Sequence, residues 1–130
     1  MKLFYVTAED ERSPLLVFLN GLEPKLRQKL AQQFKLLALL PLPREPTVKH
    51  FTIAKYSGLY ELRSKSKIMI RLIFTILEDG NILFLTPFVK KHKRNTMQAL
   101  ETSLKLLAQI DNGTCSVKEM SINQITEESE

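Results

Sequence analysis

Three charged side chains near the middle of the chain stand out because their neighbours are apolar. Arg71 interrupts the apolar run from Ile68 to Leu77, and Glu61 and Arg63 lie in the segment before it. A guanidinium is costly to bury without a partner, so Arg71 must face solvent or meet a carboxylate such as Glu61. On neighbouring strands such a pair can be purely structural. Arginines can also bind phosphate, because the planar guanidinium donates two parallel hydrogen bonds.

A run of five basic or titratable residues follows the last apolar segment. A phosphate site needs converging cations, and this run could extend the face that carries Arg63 and Arg71. The simpler alternative is a solvated loop. The run consists of Lys90, Lys91, His92, Lys93 and Arg94.

Aromatic residues near these charges could stack on nucleic-acid bases. Tyr60 lies beside Glu61, Tyr56 follows the cation Lys55, and Phe88 precedes the basic run. The alternative is that these rings belong to the core, which is the interpretation we favour for Phe88. We assign Tyr60 and Lys55 to the candidate RNA-binding residues.

Other kinds of site have little support in the sequence. The four glycines are scattered, so no glycine-rich phosphate loop is present. The single cysteine, Cys115, excludes an internal disulfide framework and a cysteine-based zinc site. His50 and His92 lie at no ligand spacing, and Glu61 is nearly alone on the predicted strands. A metal-dependent nuclease usually needs several convergent carboxylates, so we expect no metal and no other cofactor.

The charge is unevenly distributed along the 130 residues. The whole chain has a net charge of +5, but residues 1–110 carry eighteen basic and nine acidic residues, which makes +9. Residues 111–130 carry one basic and five acidic residues, which makes −4. The length suits one domain, so we predict a basic domain over 1–110 and a flexible acidic tail over 111–130. The apolar runs are too short to span a bilayer, and we expect a cytoplasmic protein with no membrane partner.

Two helices are predicted in the first third of the chain. Ser13-Pro14 is typical of a helix start, and Asn20-Gly21 of a helix end. Glu23-Pro24 opens a longer helix with an apolar stripe, so the two helices form a hairpin. Prolines then forbid continuation and make a stiff connector. The stripe is Leu26, Leu30, Phe34, Leu37 and Leu40, and the prolines are Pro41, Pro43 and Pro46.

The remaining periodicity predicts strands and one last helix. Asp79-Gly80 is a turn signal that joins two of the strands as an antiparallel hairpin. Asn95 and Gln98 resemble a capping box at the start of the last helix, which should fade near Asp111. The predicted strands are 2–7, 59–63, 68–77 and 81–88.

This order of elements predicts an α+β fold. It runs β-α-α-β-β-β-α, with the helical hairpin packed on a small, mostly antiparallel sheet. Such a sheet can bury one face under the helices and leave the other face exposed. We therefore expect the charged site on the exposed face.

Three short motifs in this order resemble the HigB-like toxins, in the phage Gp49-like branch of the RelE/ParE toxin–antitoxin superfamily. They are Gly58-Leu59-Tyr60-Glu61-Leu62-Arg63, Ile70-Arg71-Leu72-Ile73-Phe74 and Phe88-Val89-Lys90-Lys91. The resemblance covers roughly residues 1–110. It implies a RelE-like fold with a curved sheet and a ribosome-dependent mRNA endoribonuclease that needs no metal. It also implies a neutralising helix-turn-helix antitoxin of the HigA-like kind and a heterotetramer with that antitoxin.

The resemblance also implies roles for individual residues. In such toxins the ribose 2′-OH attacks the adjacent phosphate, and cations must stabilise the extra negative charge. Carried over by motif, Arg63, Arg71 and Lys91 are the candidates for that task, and Glu61 orients an arginine or acts as a base. Several relatives place a tyrosine or histidine near the C-terminal end of the fold, and here His92 is the nearest substitute. The remaining RNA-binding candidates are Lys90, Lys93 and Arg94.

Two alternative functions remain open at this stage. A ParE-like member of the superfamily would bind a protein target such as gyrase and cleave nothing. A plain basic RNA-binding module would need neither an antitoxin nor catalysis.

Overall fold

The computed structural model describes residues 1–39 and 47–126, without the side chain of Thr126. Within these residues the chain forms six strands, four α-helices and a short 3-10 helix, Ala54–Tyr56. The predicted proline connector falls within residues 40–46 and lies outside the described residues. The strands are β1 Leu3–Thr7, β2 Val48–His50, β3 Leu59–Lys65, β4 Met69–Ile76, β5 Ile82–Val89 and β6 Ser116–Glu119. The helices are α1 Pro14–Asn20, α2 Pro24–Leu39, α3 Lys93–Asp111 and α4 Asn123–Thr126.

The first two helices begin where the sequence signals predicted, and α1 also ends at its predicted residue. Ser13 caps α1 by accepting the Leu16 N–H on its hydroxyl at 3.2 Å, and Pro14 occupies the first helical position. This satisfies one of the N–H groups that a helix leaves without a partner. A proline also begins α2, and its buried side chains include Leu30 and Phe34.

The sheet has the order β2-β3-β4-β5-β1-β6. Its pairings are antiparallel except for the parallel pair of β1 and β5. The predicted α+β class with a mostly antiparallel sheet is therefore confirmed. The predicted order of elements was incomplete, because β2, β6 and α4 were not expected. The Asp79-Gly80 turn joins β4 to β5, with Gly80 at φ +86°, a backbone conformation that glycine adopts without steric cost.

The structure buries apolar side chains on both faces of the sheet. One face packs against α1, α2 and α4 around Phe34, Phe74 and Phe84. On the other face, Ile73 and Leu83 pack with residues of α3 such as Leu100. The prediction of one wholly exposed face was wrong, because that face carries apolar residues of its own that α3 covers. Glu61, Arg63 and Arg71 lie at the edge of the apolar cluster that packs against α3.

The predicted flexible tail is wrong for residues 116–126. β6 pairs with β1 in the register Tyr5 to Lys118, and Met120 and Ile125 are buried in the core. These apolar residues stabilise the segment despite its acidic composition. Residues 127–130 lie outside the described residues.

The start of α3 also differs from the prediction. The helix begins at Lys93, and the Asn95 side-chain oxygen accepts the N–H groups of Lys91 and His92 at 2.9 and 2.7 Å. Asn95 is thus the third residue of the helix and binds back to the preceding loop. The predicted Asn95–Gln98 capping box was wrong by three residues. No helix in residues 1–39 and 47–126 is both long and apolar enough to cross a membrane.

Candidate nucleic-acid interface

The strand register places the key charged residues in rows across the sheet. Arg63 of β3 lies directly opposite Arg71 of β4, and Arg71 lies opposite Phe88 of β5. Residues directly opposite each other in antiparallel strands project from the same face. Glu61, two residues from Arg63, projects from that face as well. The spacing argument from the sequence is confirmed for the placement of these side chains.

A β-bulge in β5 determines which residue stands next to Arg71. Ile73 pairs with Thr86, yet Phe74 pairs with Phe84, so Leu85 is an extra residue in β5. A bulge shifts every later side chain by one position. Without it, the proline at position 87 would lie opposite Arg71. The bulge therefore brings the aromatic ring of Phe88 next to the pair Arg63 and Arg71, which we call the arginine row.

A single carboxylate lies between the two arginines. Glu61 Oε1 accepts a hydrogen bond from Arg63 Nε at 3.1 Å, and Arg71 Nε lies 3.7 Å from the same oxygen. The Glu61 side chain is 1% exposed, that of Arg71 is 10% exposed and that of Arg63 is 29% exposed. The cluster is therefore largely buried, with Arg63 as its most accessible cation.

The hydrogen-bonding capacity of this cluster is not used up. Glu61 Oε2 and Arg71 Nε are buried and have no hydrogen-bond partner among residues 1–39 and 47–126. Arg71 Nη1 donates a long bond of 3.5 Å to the Ile70 carbonyl. Burial lowers the pKa of Arg71, the carboxylate of Glu61 opposes this effect and the charge of Arg63 adds to it. Arginine nevertheless stays protonated in proteins, so the three side chains together carry a charge of +1.

A further cation that the sequence reasoning missed lies beside Glu61. Lys49 of β2 is directly opposite Glu61 of β3 and therefore shares its face. Its ammonium lies 5.4 Å from the centre of the Phe51 ring. The only available signal was the basic stretch around Lys49, and β2 is too short to show a strand pattern.

The basic run begins at the same end of the sheet as the arginine row. The Lys90 N–H donates to the Met69 carbonyl at 2.8 Å, and Met69 is two residues from Arg71 along β4. Lys90 is partly buried, whereas the next four residues are exposed. No carboxylate in the described part of the chain forms an ion pair with any residue of this run. These cations are thus available to an anionic partner.

Lys55 contacts α3 and not the arginine cluster. Its ammonium donates to Glu101 Oε1 at 2.9 Å, and the Tyr56 hydroxyl donates to Glu101 Oε2 at 2.6 Å. These hydrogen bonds raise the pKa of Lys55 and the pKa of Tyr56, and they lower the pKa of Glu101. The three side chains join the 3-10 helix to α3.

Tyr60 lies on the opposite face of the sheet from Glu61. Its ring stacks on His50 at 4.4 Å and on Phe74 at 5.3 Å between centroids. The structure therefore does not bring Tyr60 together with the arginines. Across the described ranges, no three His, Cys, Asp or Glu side chains come together in an arrangement that could hold a metal ion.

The fold and the cluster define a basic α+β domain with a cationic site on a mostly antiparallel sheet. The family model for Phage derived protein Gp49-like matches residues 17–108, which is most of the chain. The chain therefore belongs to this phage-derived Gp49-like family, which is the HigB/RelE-like toxin group. The matched segment contains Glu61, both arginines and the whole basic run. No curated protein and no solved structure matches the chain significantly.

Proposed function

We propose that this protein is the toxin of a type II toxin–antitoxin system and that it cleaves mRNA on the ribosome. Family membership supports a toxin-like role in general. The observation that carries the finer proposal is the arginine pair, because Arg63 and Arg71 share one buried carboxylate and keep a net positive charge. A ribosome is mostly RNA, and a basic domain is attracted to it by phosphate electrostatics.

In the proposed reaction the ribose 2′-OH attacks the adjacent phosphate of the message. A cyclic phosphate forms, the 5′-oxygen of the next nucleotide leaves with a proton, and no metal takes part. Arg63, Arg71 and Lys91 stabilise the negative charge that develops on the phosphorus oxygens. Arginine suits this task because its planar guanidinium can donate hydrogen bonds to two oxygens at once.

Glu61 fits best as a positioning residue. Its Oε1 is close to both arginine Nε atoms, and the side chain is almost completely buried. A base must reach the proton that it removes, which disfavours so enclosed a carboxylate. His92 is exposed at the start of α3 and is the candidate for proton transfer. Lys90, Lys93 and Arg94 hold the RNA backbone.

The proposed regulator is a small helix-turn-helix antitoxin of the HigA-like kind. It neutralises the toxin and assembles with it as a heterotetramer. The cationic face is a suitable target, because an acidic antitoxin segment placed there would exclude RNA. An adjacent reading frame for such a protein would support this part of the proposal.

The test is to express the protein and map the ends of ribosome-bound messages. We expect growth arrest with new cleavage sites inside coding sequences. Arrest with intact messages would refute the nuclease and favour a ParE-like protein target such as gyrase. Binding of RNA without arrest or cleavage would leave only a basic RNA-binding module.

Arg71→Ala supplies the residue-level test. We expect it to abolish cleavage, because the phosphate loses its most central cation. The matched control is Arg12→Ala, since Arg12 is exposed in the loop before α1. If Arg71→Ala instead unfolds the protein, circular dichroism will show it, and the arginine is then a structural ion-pair partner.

A further inference from the structure

A small groove lies between β5 and the first three turns of α3. Its volume is about 210 Å³, and its polar lining comes from Thr86, Asn95, Gln98 and Thr102, with the ring of Phe88 at one side. Pockets for drug-sized ligands usually start at about 300 Å³. This groove is suited to a single ring system.

The groove is adjacent to the arginine row. Phe88 lines it and lies directly opposite Arg71 in the strand register, on the same face of the sheet. Asn95 binds the backbone of Lys91 and His92, so the helical side of the groove is attached to the basic run. A ligand that placed a phosphate on the arginines could therefore extend its next group over Phe88.

The lining has the chemistry that a nucleobase requires. It contains no charged side chain, and it combines an aromatic ring with amide and hydroxyl groups. Single-stranded RNA is recognised by stacking of its bases on aromatic rings and by hydrogen bonds to the base edges.

The donors and acceptors of the groove are not equally available. The Thr86 hydroxyl lies 2.7 Å from that of Ser103, and Asn95 Oδ1 already accepts two backbone N–H groups. The side chains of Gln98 and Thr102 form no hydrogen bond within the described residues. Gln98 thus offers a complete amide, with an acceptor and two donors, to a base edge.

We propose that this groove binds the nucleobase next to the phosphate held by Arg63 and Arg71. Phe88 stacks on the base, and Gln98 determines which base is preferred. The inference rests on the proposed function, because it assumes that RNA is the ligand of the arginine row.

Binding of mononucleotides tests the groove without any cleavage. The probes are the four nucleoside 5′-monophosphates and ribose 5-phosphate, with affinities measured by chemical shifts of the α3 amides. We expect the nucleotides to bind at least fivefold more tightly than the sugar phosphate, and their affinities to differ from one another. Gln98→Ala should reduce the largest difference between bases about fivefold. The control Gln32→Ala, exposed on α2, should leave all affinities unchanged.

Two results would refute the proposal that the groove binds a nucleobase. One is a sugar phosphate that binds as tightly as every nucleotide. The other is a base preference that survives both Gln98→Ala and Phe88→Leu in folded proteins.

Mapped cleavage sites separate this inference from the proposed function. If the wild type cleaves messages, Gln98→Ala should change the preferred base beside the cut. An unchanged preference would refute base recognition by the groove without contradicting the proposed nuclease activity. If the wild type cleaves no message but binds nucleotides in a Gln98-dependent way, the proposed nuclease activity is refuted and the proposed base-binding groove is supported.

Discussion

Replacing Glu61 by glutamine should destabilise the fold and at the same time strengthen anion binding. Glu61 is the carboxylate between Arg63 and Arg71, which lie opposite each other on β3 and β4. Glu61→Gln keeps the size of the side chain but removes its negative charge. The two guanidiniums then face each other without a counterion, and the local charge rises from +1 to +2.

The expected cost follows from the burial of the cluster. Removing one partner of a buried ion pair typically costs about 3–5 kcal/mol. Arg63 is 29% exposed and can turn toward solvent, so we expect the lower end, about 3 kcal/mol. For a chain of 130 residues this corresponds to a decrease in Tm of roughly 10 °C.

The assay compares thermal unfolding in sodium sulfate and sodium chloride at equal ionic strength. Sulfate stands in for the RNA phosphate. A ligand at ten times its Kd stabilises the folded state by about 1.4 kcal/mol. Because Glu61→Gln presents two unopposed cations, sulfate should raise the Tm of the variant more than that of the wild type.

Glu78→Gln is the matched control, since Glu78 is exposed beside the β4–β5 turn. It should leave both the Tm and the sulfate effect within error of the wild type. The reasoning fails if Glu61→Gln is as stable as the wild type. It also fails if sulfate, relative to chloride, raises the Tm of the variant no more than that of the wild type, because the general stabilising effect of sulfate then accounts for the whole shift.

Three further predictions concern other parts of the structure. Lys91→Ala should lower the cleavage rate about tenfold and change the free energy of unfolding by less than about 0.5 kcal/mol, because Lys91 is exposed. Lys25→Ala, an exposed lysine of α2, is its control, and full cleavage by Lys91→Ala would remove Lys91 from the site. The lowered pKa of Glu101 means that its stabilising bonds are present above about pH 4.5 and are lost as the pH falls through the folded-state value. The raised pKa of Tyr56 adds a loss at high pH, above about 10. In urea titrations Glu101→Gln should therefore differ most from the wild type near neutral pH, and a constant difference from pH 3 to 11 would contradict this. Ile125→Ala should cost about 2–4 kcal/mol, because this side chain is 1% exposed. A cost below 1 kcal/mol would show that α4 does not contribute to the core.

The sequence predicted the elements that carry a strong local signal. The Ser13-Pro14 start of α1 and the Asp79-Gly80 turn depend on residues next to each other, so they can be recognised without the tertiary structure. β2 and β6 contain three and four residues, too few to show an alternating pattern. Such strands are stabilised by the pairings they make, and those pairings cannot be predicted from the residues of the strand alone.

In the candidate site, too, some placements could be predicted from local sequence and others could not. The shared face of Glu61 and Arg63 follows from the period of two in a strand, and the sequence predicted it. The position of Phe88 beside Arg71 depends on a bulge three residues earlier in β5, and Lys49 depends on β2. A one-residue shift in register moves each side chain to the other face, so these two placements could not be predicted from spacing.

The charge balance of the cluster argues for an anionic ligand over a purely structural ion pair. One carboxylate can neutralise one guanidinium, yet Glu61 has two beside it. A second buried arginine adds desolvation and repulsion, and both effects are visible in the lowered pKa of Arg71. For stability alone, an apolar residue at that position would serve as well or better. The second arginine becomes favourable when a further negative charge is bound, and under the proposed function that charge is the phosphate of the RNA.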